Sequence, residues 1–128
     1  AKDEIASSFE KGDHGSTFGG NPVACAAANF TIDYILKNKL IENSAKQGNY
    51  IVEKIKSLNN SKIKEIRGKG LMIGIQIEGN AKEIVSKCNE KGLLLNAPDE
   101  NILRFLPPLI ITQKEIDKAL KILDGVLG

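Results

Sequence analysis

Apolar positions fall into stretches of different period. Residues 23–36 are apolar around much of a helix circumference, which predicts a helix buried on several sides. Asn21-Pro22 opens it, since Asn is a good N-cap and Pro at the first helical position gives up no needed N–H. Lys37-Asn38-Lys39 interrupts the pattern. A second helix is predicted over 40–58, with Ile41, Ala45, Ile51, Ile55 and Leu58 at helical spacing and charges between them. Residues 1–9 suit a short helical turn, and Asn59-Asn60-Ser61 ends the second helix.

The period then changes. Ile63, Glu65 and Arg67 alternate, and Leu71-Met72-Ile73-Gly74-Ile75-Gln76-Ile77 follows, which predicts one or two strands bent around Gly68 and Gly70. Glu78-Gly79 is a turn. Residues 81–91 make an amphipathic helix with Ile84, Val85 and Cys88 on one side and Gly92 as its stop. Leu93-Leu94-Leu95 reads as a short buried strand, Pro98-Asp99-Glu100-Asn101 as a turn, and 102–106 as its partner strand. Pro107-Pro108 belongs at a sheet edge or beyond it. Thr112 and Glu115 form a capping box for a last helix, whose buried stripe is Ile116, Leu120, Leu123 and Leu127. The expected fold is mixed α/β (α+β). It has a small sheet of three or four strands with helices on one face, preceded by a long helix.

Composition narrows the partners. The net charge of +2 over 128 residues is too near zero to imply a nucleic-acid or membrane partner, and no stretch is long and apolar enough to span a bilayer. Cys25 and Cys88 are far apart and, with the single His14, fall short of a zinc ligand set, so no metal site is expected. Both thiols are expected as buried small apolar groups in a reducing, cytoplasmic compartment.

The candidate chemistry starts in residues 11–20, which hold four glycines with Asp13, His14, Ser16 and Thr17 between them. Glycines let backbone N–H groups approach an anion closely. The Ser16 and Thr17 hydroxyls add donors, and the helix beginning at Pro22 adds a positive dipole end. A phosphate or carboxylate fits this chemistry; a glycine-rich connection shaped by packing fits it equally. His14 is read as shaping the loop, because no partner for base chemistry is visible beside it. Arg104 is a second candidate, since a planar guanidinium clamps a carboxylate through two bonds. Arg67 and Lys69 read as surface charges where a strand begins.

The string Gly-Asp-His-Gly-Ser-Thr-Phe-Gly-Gly-Asn-Pro, residues 12–22, resembles a signature of the class III, fold-type I aminotransferases. Its spelling, with Asp13 and Phe18, is most similar to the acetylornithine subgroup; ornithine and 4-aminobutyrate enzymes have related loops. Arg67-Gly68-Lys69-Gly70-Leu71 and Arg104-Phe105-Leu106-Pro107-Pro108-Leu109 are similar to two further family motifs, in the family's order.

The resemblance implies the small domain of such an enzyme. Residues 1–21 would be the cofactor-facing end of the large domain, 22–60 the linking helices, and 61–128 the carboxy-terminal small domain. It implies pyridoxal 5'-phosphate as cofactor, an amino-acid donor with 2-oxoglutarate as acceptor, and a homodimer. In that dimer Thr17 would bind the cofactor phosphate of the neighbouring subunit, with Ser16 beside it at the substrate. Arg104 would hold a substrate carboxylate or pair with an acidic residue of the large domain. The family's Schiff-base lysine lies upstream of its glycine loop; Lys2 and Lys11 do not match its context, so no catalytic residue is expected among these 128. The chain by itself is then expected to be inactive, and its helix 23–35, cut free, to drive self-association. Two rival readings are a stand-alone amino-acid-binding or regulatory module and an RNA-binding sandwich. The second is disfavoured by the near-zero charge and the few aromatics.

Overall fold

The computed structural model describes residues 1–13 and 15–128. His14, read above as shaping the loop, lies outside the described residues. The chain divides into two units, Ala1–Asn38 and Lys39–Gly128.

The first unit holds a single helical turn, α1 (Asp3–Ala6), the glycine-rich loop, and α2 (Pro22–Lys37). Asn21 caps α2 as its sequence predicts: its side-chain oxygen accepts from the Ala24 N–H at 3.0 Å. No residue of α2 is buried. Cys25, expected inside, is exposed, because the apolar circumference of α2 meets no core within its own unit.

The second unit contains α3 (Leu40–Ser57), β1 (Ile63–Lys69), β2 (Met72–Ile77), α4 (Ala81–Glu90), β3 (Asn96–Asp99), β4 (Ile102–Phe105) and α5 (Gln113–Leu127). Its sheet has the order β1-β2-β4-β3, and every neighbouring pair is antiparallel. Period-2 alternation sends Ile73, Ile75 and Ile77 of β2 and Leu103 and Phe105 of β4 to the same side. There they meet Ile51 and Ile55 of α3, Ala81 and Cys88 of α4, and Ile116, Leu120, Leu123 and Leu127 of α5. The helices therefore cover one face of the sheet, as the pattern predicts. Burial in this core raises the pKa of the Cys88 thiol above its ordinary value, by desolvation of the thiolate.

The capping box of α5 is present: the Glu115 N–H donates to Thr112 Oγ1, and the Thr112 N–H and hydroxyl donate to Glu115 Oε2 at 2.9 and 2.7 Å. The bend at Gly68 and Gly70 is a hairpin between two strands. Gly70 has φ +55°, which favours glycine, and a Cβ on Gly68 would lie 2.2 Å from the Met72 carbonyl oxygen.

Two predicted details differ. The strand expected at Leu93-Leu94-Leu95 lies further on, at Asn96–Asp99, and Leu94 is 85% exposed. Pro98 is accommodated because β3 is an edge strand, and its ladder with β4 shifts register between Asn96 and Asp99, where a missing N–H costs little. On α3, Ile41 is 64% exposed, whereas Gln47 and Gly48 are buried. Glycine at 48 lets α3 lie directly on the β1–β2 turn, where a Cβ would sit 2.1 Å from the Gly70 carbonyl oxygen. That approach fixes which face of α3 turns inward.

Candidate functional site

The glycine loop is organised by local hydrogen bonds. The Glu10 N–H donates to Asp13 Oδ2 at 2.7 Å and the Asp13 N–H returns to the Glu10 carbonyl at 3.1 Å, closing the first turn. Gly12 and Gly20 have φ of +107° and +73°, a region closed in practice to side chains that branch at Cβ. The Gly19 N–H donates to the Ser16 carbonyl at 3.3 Å, and a Cβ on Gly19 would crowd Ser16 Cβ and Oγ at 3.0 Å. Glycine there preserves the room that the Ser16 side chain occupies. Asn21 then joins loop to helix, its Nδ2 donating to the Phe18 carbonyl at 2.8 Å while its Oδ1 caps α2.

Ser16 and Thr17 are exposed neighbours on this turn, and neither hydroxyl bonds to another described residue. Two adjacent free donors on a backbone held by glycines suit an oxyanion such as a phosphate. The contribution of the α2 terminus is smaller than its sequence suggests. Pro22 has no N–H, Ala24 donates to the Asn21 side chain, and Cys25 donates to the Asn21 carbonyl. Among the described residues only Val23 keeps an unpaired N–H in that first turn.

Arg104 belongs to the second unit. On β4 it stands between Gly74 of β2 and Asn96 of β3, on the sheet face opposite the helices, while its neighbours Leu103 and Phe105 point into the core. It is exposed, and it forms no ion pair with a described carboxylate. Its partner on β2, Gly74, carries no side chain; a Cβ there would make ordinary van der Waals contact, with Arg67 Cγ, the Arg67 carbonyl oxygen and Ile102 Cγ2 at 3.8 Å. Arg67 pairs across the strands with Gly74 and is engaged by Glu65 at 3.2 Å. The sheet thus presents one unengaged guanidinium, Arg104, and one that is engaged, Arg67.

These features belong to a known family. The class-III aminotransferase family matches residues 1–127, and the chain belongs to it. The acetylornithine aminotransferase of Caldanaerobacter subterraneus subsp. tengcongensis is 51% identical over 123 residues, 94% of this chain and 31% of that protein. The ornithine aminotransferase of Geobacillus sp. is 42% identical over 121 residues, again 94% of this chain and 30% of the relative. Among solved structures, the acetylornithine aminotransferase of Elizabethkingia anophelis superposes with a TM-score of 0.84 at 36% identity, covering 99% of this chain and 35% of that one. The chain therefore spans about a third of the length of the relatives it matches. The family implies dependence on pyridoxal phosphate. The free Ser16 and Thr17 hydroxyls are of the right type for that cofactor's phosphate. None of the described helices is long and apolar enough to cross a membrane.

Proposed function

We propose that these residues are the carboxy-terminal part of an enzyme that transfers the amino group of N2-acetylornithine to 2-oxoglutarate, a step of arginine biosynthesis in the cytoplasm. The observation that carries the proposal is the pair of adjacent, unengaged hydroxyls on the glycine-held turn, in a chain of the class-III family. In this reading residues 1–21 end the large domain, 22–60 link the domains and 61–128 form the small domain. The loop reaches across a homodimer to the neighbouring subunit's site.

Pyridoxal phosphate, when bound, supplies the electron sink for moving the amino group. The chain's residues supply recognition. The Thr17 hydroxyl donates to the cofactor phosphate. Ser16 lies beside the substrate, where it orients the amino donor. Arg104 forms a two-bond clamp on a substrate carboxylate, a role favoured by its lack of a described acidic partner. The proton-moving lysine is supplied from upstream sequence. A related reading, an ornithine donor, is supported by the 42% identical relative of that name.

Two measurements test this. The purified 128-residue chain is expected to give no amino transfer above a heat-treated control. In the full-length protein Thr17→Ala is expected to weaken pyridoxal phosphate binding by roughly tenfold, the scale of one charge-assisted hydrogen bond. Affinity unchanged in an absorbance titration would overturn the role given to Thr17. Comparing kcat/KM for acetylornithine and ornithine then decides the donor.

A further inference from the structure

Among the described residues Gln47 is the one buried polar side chain, 6% exposed. Its Nε2 donates to Asn43 Oδ1 at 3.2 Å, one turn back along α3. Its Oε1 is buried with no donor among the described residues. The engaged end of the amide is Nε2. That end holds Asn43 in one orientation.

Asn43 is placed to act at a distance in sequence. Its Nδ2 donates to the Leu109 carbonyl at 2.7 Å and to the Ile111 carbonyl at 3.3 Å. Those carbonyls lie in the segment that leaves β4 just after Arg104. The segment has few other means of being fixed. Pro107 and Pro108 lack N–H groups, and between Phe105 and Thr112 the one described backbone bond outside the sheet is from the Ile111 N–H to the Pro108 carbonyl at 3.0 Å. The same stretch of α3 also holds the β1–β2 turn, which lies at the same end of the sheet because Ile73 pairs with Phe105: Ser44 Oγ accepts from the Leu71 N–H at 3.3 Å, and Gly48 lies against the Gly70 carbonyl. One stretch of α3 thus holds the β1–β2 turn and the exit of β4 together, and Arg104 lies on β4, the strand paired directly with β2.

We propose that Asn43, oriented by Gln47, is a positioning residue for Arg104: by pinning the exit of β4 it sets where the guanidinium meets a substrate carboxylate. This rests on the reading of Arg104 as a carboxylate clamp. Asn43 itself touches no substrate. It is only half-buried, so its replacement is compatible with folding.

The test uses the full-length enzyme with three variants, Asn43→Ala, Gln47→Met and Arg104→Gln. Arg104→Gln is expected to raise KM for the dicarboxylic oxo acid strongly, roughly a hundredfold, as loss of a two-bond ionic contact does. Asn43→Ala is expected to raise the same KM about fivefold, the scale of one hydrogen bond, with kcat within twofold and the bound-cofactor absorbance unchanged. Gln47→Met, which removes the orienting amide without introducing charge, is expected to shift KM in the same direction by about twofold. If Arg104→Gln raises KM while both other variants leave it at the wild-type value, the positioning role is overturned and the clamp stands. If Arg104→Gln itself changes nothing, the clamp reading fails and the positioning role falls with it. A loss of thermal stability in the Asn43 and Gln47 variants with KM intact is the result of a purely structural role, and also overturns the proposal.

Discussion

The two units of this chain use apolar residues in opposite ways. In Lys39–Gly128 the apolar positions of three helices and two strands converge, and residues such as Ile73, Ile75, Leu103 and Leu123 lose all contact with solvent. In Ala1–Asn38 the sequence is at least as apolar over α2, yet Val23, Phe30, Ile32 and Leu36 are all more than half exposed. A core needs apolar stripes on several elements that can face one another; a single helix cannot supply that, whatever its composition. The second unit has a core of its own. The first exposes the apolar residues of α2, which is joined to a loop whose Ser16 and Thr17 hydroxyls bond to no other described residue.

The largest effect that can break this contrast is separation of the units. Residues 39–128 alone are expected to unfold cooperatively in urea, and a 1–38 peptide to show little helix by circular dichroism, since an isolated helix this short is marginal in water. Light scattering is expected to show the 128-residue chain self-associating and the 39–128 chain remaining monomeric. A monodisperse 128-residue monomer at high concentration, or a non-cooperative 39–128 chain, would contradict the division.

A smaller effect probes how the second unit is held. Gly48→Ala places a methyl group against backbone, 2.1 Å from the Gly70 oxygen, with no side chain available to move aside. It is expected to destabilise the 39–128 unit by roughly 3 kcal/mol, read from the denaturant midpoint. A loss below about 1 kcal/mol would mean that α3 can back away from the turn at little cost.

The smallest effect is one of pH. The Thr112 hydroxyl and N–H hold Glu115 below its ordinary carboxylate pKa of 4.5. A depressed folded-state pKa gives stability that is present above 4.5 and is lost as pH falls through the lower folded value. The melting-temperature difference between wild type and Thr112→Ala is therefore expected to narrow as pH drops below 4.5. A difference constant down to pH values near 3, well under the ordinary range for Glu, would show that the capping contact is not ionic.

Most of the second unit was legible in sequence because its signals are local. The Thr112–Glu115 capping box, the Gly92 stop and the buried stripe of α5 each lie within a few residues of what they control, as does the Asn21-Pro22 start of α2 in the other unit. The failures are non-local. Leu93-Leu94-Leu95 spells a buried strand, but which residues pair with β4 is decided by register across the sheet, and that register admits Pro98 at an edge. Ile41 fits the helical period, yet the close approach of Gly48 to Gly70 sets the inward face of α3. Of the candidate site, the hydroxyls of the glycine loop and Arg104 were legible as chemistry. The Asn43 tie, 66 residues from the carbonyl it holds, was not.

The sheet order also bears on how quickly this domain forms. Strands β1 and β2 are joined by a tight turn, and so are β3 and β4, so each pair closes with little loss of chain freedom. One seam alone, Ile73 to Gln76 against Phe105 to Ile102, joins segments distant in sequence. On this topology the docking of the two hairpins along that seam is the step expected to limit the folding rate, with α4 as the tether that keeps them within reach of each other.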